Sequence, residues 1–175
     1  MQAVYNLRVA AGLLSTLMQA ETDRTREITL IQASIWDLNA VRDLEHLSFP
    51  LDAWPLIEMV GVLTFPSIER WKAMDGETLV GFVAADIRRH QDLAWIATIA
   101  VHPDYRRRGI ARQMMARVEE LVPVSRMRLS ARASNRAAIA LYQRQGYEQV
   151  DVWPKYYSGG EDAVVMEKLL VKAEG

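Results

Sequence analysis

The sequence predicts one α/β domain, a mixed sheet with helices on both faces. Three observations predict it. Strand-like runs alternate with helical patterns along most of the chain. The run Trp95–Val101 (WIATIAV) is apolar throughout, as expected of a strand at the centre of a covered sheet. Finally, a glycine-containing turn, Arg106–Ala111 (RRRGIA), joins that run to a helical pattern.

The elements follow in order. Residues 1–24 read as an amphipathic N-terminal helical extension closed by a polar linker, with an α/β domain over 25–172. The leader carries too little positive charge for a signal peptide. Its apolar face at Val9, Leu13 and Leu17 suits packing on the domain or on a second copy of the chain, so a homodimer is one arrangement considered. Ile28–Ala33 alternates as a first strand. Ser34 caps a helix over Ile35–Leu47, with Trp36, Leu38, Val41, Leu44 and Leu47 as its apolar stripe. Phe49-Pro50 stops it, and Leu51–Arg70 reads as a loop with short helices. Trp71–Met74 and Leu79–Asp86 form a hairpin about Asp75-Gly76. After a polar turn comes the strand Leu93–Val101. The helix opened by Gly109 buries Ile110, Met114, Val118 and Leu121, and Pro123 ends it. Arg126–Arg132 alternates as a strand. Ser134 or Asn135 caps a helix over Arg136–Gln145, which Gly146 terminates. Tyr147–Trp153 and Ala163–Leu170 are the last strands, joined through Ser158-Gly159-Gly160.

Composition narrows the function. The chain has 175 residues, enough for a single core. A formal net charge of -1 argues against a general nucleic-acid binder, so no nucleic-acid partner is expected. Cysteine is absent, which excludes disulfides, cysteine nucleophiles and thiolate metal sites. No metal is expected, and the composition fits a cytoplasmic protein. No run approaches the roughly 18 apolar residues that span a bilayer, so no membrane partner is expected.

The glycine turn points to a phosphate. Glycine allows close backbone approach, a helix N-terminus supplies positive dipole and free N–H groups, and the arginines add charge. The nucleotide-binding patterns fail: no Gly-Lys-Ser/Thr follows, and two glycines of the dinucleotide fingerprint are missing.

RRRGIA fits the Arg/Gln-x-x-Gly-x-Gly/Ala motif of the GNAT N-acetyltransferase superfamily. The later segments RASNRAAIALYQRQGYEQV and KYYSGGEDAVVMEKLL resemble the N-alpha-acetyltransferases of that superfamily, notably the RimI-like enzymes that acetylate a ribosomal-protein alanine. The resemblance spans about Ile28–Leu170 and is strongest from Ile99 onward. It implies the GNAT fold: a mostly antiparallel sheet splayed between its fourth and fifth core strands, Leu93–Val101 and Arg126–Arg132. It also implies acetyl-CoA as co-substrate. Ile99, Ala100 and Val101 would then pair with the pantetheine arm. Arg106, Arg107, Arg108, Gly109, Ile110, Ala111 and Arg112 would surround the diphosphate, held mainly by backbone amides. Asn135 would bond the cofactor arm, or else only cap its helix. Tyr142, two helical turns further on, would protonate the departing thiolate. Phe49, Pro50, Tyr156 and Tyr157 would line the acceptor groove, against the alternative of edge-strand packing and a helix-ending turn.

The base departs from the family pattern. Where relatives carry a glutamate or histidine, this chain has Ser130, and where one carries a tyrosine it has Trp95. Neither is a base at neutral pH. His102 precedes Pro103 in the phosphate turn and reads as facing solvent. His46 and His90 read as ordinary loop or helix-end residues, and Glu161-Asp162 as a hairpin end. The expected acceptor is a protein or peptide N-terminus. The alternatives are a small-molecule amine, or a non-catalytic acyl-CoA-binding sensor.

Overall fold

The structure is a computed structural model that describes residues 27–50, 52 and 54–171. The N-terminal extension read at 1–24, and the dimer contact considered for it, lie outside the described residues.

The element order is β1 (Thr29–Gln32), α1 (Leu38–Ser48), α2 (Leu56–Thr64), β2 (Ile68–Asp75), β3 (Thr78–Arg88), β4 (Leu93–Val101), α3 (Ile110–Leu121), β5 (Arg126–Arg132), α4 (Arg136–Arg144), β6 (Glu148–Tyr157) and β7 (Glu161–Leu169). The strands form one sheet in the order β1-β2-β3-β4-β5-β7-β6. Every neighbouring pair is antiparallel except β4 and β5. This is the predicted mixed sheet, with α1 and α2 over one face and α3 and α4 over the other.

The parallel pair is short. Leu93, Ala94 and Trp95 pair with Arg126, Met127 and Arg128, and no pairing follows. Opposite that point, β4 carries an irregularity against β3: Ala85 faces Ile96 and Ala84 faces Thr98, which leaves Ala97 as the extra residue. A bulge bends its strand and raises the local twist. The remainder of β4 turns away from β5, and the sheet splays where expected.

Two apolar clusters hold the layers. Ile110, Met114, Met115, Val118 and Tyr142 from α3 and α4 pack with Met127, Leu129 and Met166 of the sheet. Val41, Leu44, Met59, Val62 and Leu63 from α1 and α2 pack with Phe82, Ala84 and Ala100. The close seat of α3 depends on Gly81, where a Cβ would lie 3.0 Å from Met114 Cε and 3.2 Å from Ala73 Cβ.

Several local expectations need correction. The first helix opens as a 3-10 turn, Ile35–Asp37, closed by a reciprocal Ser34–Asp37 capping box. Within α1 the buried positions are Val41, Leu44 and Glu45, whereas Leu47 is exposed and Trp36 is 92% exposed. At about 100° per residue, Leu47 falls about 120° round the helix from Val41, whereas Glu45 falls within about 40° of it. Near the end of α3, Leu121 is exposed; Met115, Val122 and Val124 fill the core instead. β2 begins at Ile68, three residues before Trp71. β6 runs on to Tyr157 through an irregularity between Trp153 and Tyr157. There Lys155 takes a left-handed φ of 54°, and its N–H is held by Asp162 Oδ1 at 2.8 Å.

Candidate active site

The parted strands open a cleft of about 840 Å³, floored by residues 96–101 of β4 and walled by Leu129–Arg132 of β5, the turn before α3, and α4. Beyond Trp95, β4 has no strand partner on its β5 side among the described residues, so backbone groups there can accept an extended ligand as an added strand. Ile99, Ala100 and Val101 all line the cleft.

One end is the glycine turn. Arg107 and Gly109 both adopt left-handed backbone, with φ of 62° and 79°. Gly109 is the N-cap of α3, and no side chain caps the helix. A Cβ added at Gly109 would meet nothing within 4 Å, so the approach is open to a ligand. Uncapped amides at a helix start make an anion site. Arg106, Arg107, Ile110, Ala111 and Arg112 border this end. Arg108 does not. Its guanidinium lies 4.7 Å from the Tyr105 ring centroid and donates to the Asp104 carbonyl at 3.1 Å.

In the middle, α4 presents Asn135 and Tyr142 to the cleft. Asn135 Oδ1 accepts the Ala138 N–H at 3.1 Å, so this residue caps α4 and its amide nitrogen remains as the donor toward the cleft. The Tyr142 ring meets Tyr147 edge-on with centroids 6.1 Å apart. Burial, reinforced by Tyr157, pushes the Tyr142 phenol above its usual range, so it stays protonated at neutral pH.

Phe49, Pro50 and Tyr157 close the far end. Tyr157 and Ser130 share a hydrogen bond of 3.1 Å between their hydroxyls. Tyr156 is not a cleft residue. It is 57% exposed and packs between Trp153 and Tyr157, with centroids 5.1 Å from each. Trp95 also lies outside the cleft, stacked on Trp153. His102 is half-buried, and its Nδ1 accepts the Asp104 N–H at 3.3 Å.

Two features escaped the sequence reading. Arg132 donates to Asp52 and to Glu161, while its guanidinium lies 4.8 Å from the Tyr157 ring centroid. Asp52 and Arg132 stand 80 residues apart, and no local pattern links them. Burial works to raise the Asp52 carboxyl, but bonds from Arg132 and Ser158 outweigh it and hold it below its ordinary value. The second feature is Glu45, 1% exposed, which accepts the hydroxyl of Thr98, a cleft residue. Its spacing of four from Val41 and one from Leu44 was a readable signal: a carboxylate in phase with the apolar face.

A family model described as the Acetyltransferase (GNAT) family matches residues 36–147. An N-alpha-acetyltransferase of Saccharolobus solfataricus is 28% identical over 165 residues, covering 86% of this chain and 98% of the relative. The crystal structure of the ribosomal-protein-S18-alanine N-acetyltransferase from Escherichia coli superposes with a TM-score of 0.76 at 26% identity, over 85% of this chain and 97% of that one. Arabidopsis thaliana NAA60, in complex with a bisubstrate analogue, gives 0.73 at 25% identity, over 82% of this chain and 98% of that one.

Proposed function

We propose that this chain, which belongs to the GNAT acetyltransferase family, transfers the acetyl group of acetyl-CoA to the free α-amine of a protein or peptide N-terminus. The observation that carries the reading is one continuous cleft, running from the uncapped start of α3, past Tyr142, to Tyr157 and Phe49. Its shape matches the demands of the two substrates. Diphosphate oxygens sit on the amides of residues 107–111, and the pantetheine arm pairs with Ile99–Val101 and the Asn135 amide. The thioester then lies beside Tyr142, with the acceptor entering between Phe49-Pro50 and Tyr157.

Holding amine and thioester together lets the nitrogen attack the carbonyl carbon directly. Cleft amides stabilise the oxyanion, the C–S bond breaks, and Tyr142 gives its proton to the thiolate. An α-amine suits a site whose family base positions hold Ser130 and Trp95. With a pKa near 7.7–8.0, deprotonation at pH 7 costs about 1–1.4 kcal/mol, against about 4.6 kcal/mol for a lysine side chain. The relatives named for N-terminal acetylation support the same acceptor.

The cysteine-free composition supports a cytoplasmic location. Among the described residues no helix is long and apolar enough to cross a membrane.

The test is a peptide library in paired form, free and blocked at the N-terminus, read by release of free CoA thiol. Turnover confined to free N-termini supports the reading. Turnover of blocked peptides through lysine, or of polyamines alone, overturns the acceptor. Acetyl-CoA binding with no turnover on any amine makes the chain a sensor.

A further inference from the structure

The proposed reaction leaves one buried titratable group unused. Glu45 lies on the inner face of α1, against β3, β4 and α2. Its Oε1 accepts the Thr98 hydroxyl, and among the described residues its Oε2 has no hydrogen-bond partner. A carboxylate excluded from water with one oxygen unmatched is costly, and an apolar residue would pack there at less expense. Among the described residues, no counter-charge acts on it. β3 brings Phe82 and Ala84, β4 brings Ala100 beside Thr98, and α2 brings Met59, Val62 and Leu63. On its own helix Asp43 and His46 are exposed and Arg42 is half-buried; none bonds Glu45, and neither does exposed Glu58 of α2. At the end of β3, Asp86 and Arg88 pair with each other at 2.9 Å. Burial raises the carboxyl above its usual range, opposed only by the Thr98 bond.

Thr98 sits beside the bulge where β4 leaves β5, and it lines the cleft. Because its hydroxyl proton points to Glu45, its oxygen lone pairs remain for a donor on the cleft side. We propose that Thr98, with Glu45 behind it, receives the proton that the acceptor ammonium loses ahead of acetyl transfer. This rests on the acetyltransferase reading above.

The step balances. One proton of the acceptor ammonium passes to Thr98 Oγ1 while the Thr98 hydroxyl proton passes to Glu45 Oε1. The freed nitrogen then bonds to the carbonyl carbon and sheds its second proton to water as the C–S bond breaks. The C–S electron pair leaves on sulphur, which takes the Tyr142 proton. After product departs, Glu45 returns its proton through Thr98 to water, and Tyr142 is reprotonated from solvent. Thr98 is the catalytic residue, and Glu45 is the positioning residue behind it.

The experiment compares kcat/KM against pH for the wild type, Glu45→Gln, Thr98→Val and Thr98→Ser, on a peptide with a free N-terminus. Folding of each is checked by acetyl-CoA-induced thermal stabilisation. Glu45→Gln and Thr98→Val are expected to lose about a hundredfold at pH 7, the low end of general-base effects. The loss should shrink toward pH 9, where bulk solution already frees the amine. Thr98→Ser should restore the wild-type profile. A uniform loss with an unchanged profile, or no loss in either variant, overturns the relay. If Glu45→Gln does not fold, Thr98→Val against Thr98→Ser decides alone. Wild-type inactivity on all peptides instead overturns the acceptor assignment, and the profiles are then run on whichever amine is acetylated.

Discussion

Arg132 Nε donates to Asp52 Oδ2 at 2.8 Å, tying the connection after α1 to the edge of the cleft. Asp52 Oδ1 also accepts the Ser158 N–H at 3.3 Å, so one carboxylate joins three separate segments. Asp52→Asn should therefore loosen the acceptor end while leaving the phosphate end intact. The expected result is a rise of about tenfold in KM for peptide with little change for acetyl-CoA, checked by steady-state kinetics. The stability loss should stay near 1 kcal/mol, because both groups are partly solvated.

Glu161 gives an acid-side signature. Its carboxyl is held down to about 2, first by Ser134 and then by Arg132. A depressed carboxylate pKa contributes stability above the unfolded value of about 4.3, and that contribution is lost as pH falls. Melting temperature should drop between about pH 4.5 and 2 more steeply in the wild type than in Glu161→Gln.

Glu45 carries the opposite sign. Burial raises its pKa, so the folded state binds the proton more tightly and stability declines as pH rises past the unfolded value. Glu45→Gln should melt higher than the wild type at pH 8 and close to it at pH 4. Paired with the lost turnover expected of this variant, that would mark a residue kept for chemistry at a cost in stability.

Tyr142→Phe removes the proposed acid but keeps the ring that meets Tyr147. Turnover should fall about a hundredfold or more, with acetyl-CoA binding retained. Calorimetric titration alongside CoA release separates the two effects. Unchanged turnover would remove Tyr142 from the mechanism.

The two glycines should respond differently. At Gly109 the space is open but φ is 79°, so Gly109→Ala costs about 1–2 kcal/mol of backbone strain and weakens acetyl-CoA binding. Gly81→Ala instead presses a methyl against the Met114 side chain and Ala73, which must give way, and lowers the melting temperature before it affects affinity.

Legibility in the sequence followed the range of the forces involved. Period-two strands, the cap at Ser34 and the glycine turn are local, and all were readable. Most of the residues proposed for the cofactor were also readable as neighbours in one cleft, because they run consecutively along β4 and the turn. Trp36 was misread because it precedes the regular helix, and Leu47 because a hydrophobic residue near a helix end need not face inward. Arg108 and Tyr156 sit within the right motifs, yet turn outward onto Tyr105 and Trp153. Asp52–Arg132 and Glu45–Thr98 are pairings between distant segments, and only the folded chain brings them together.

The short pairing of β4 with β5 has a mechanical consequence. Among the described residues, three residue pairs form the strand-to-strand seam between the two halves of the sheet. In the proposed binding mode the pantetheine arm pairs with β4 as a temporary strand that would lengthen this seam. Each turnover would then stitch and unstitch the sheet, leaving the enzyme most pliable just after product departs. Slowed amide exchange along Ile99–Val101 on adding acetyl-CoA would register the stitch directly.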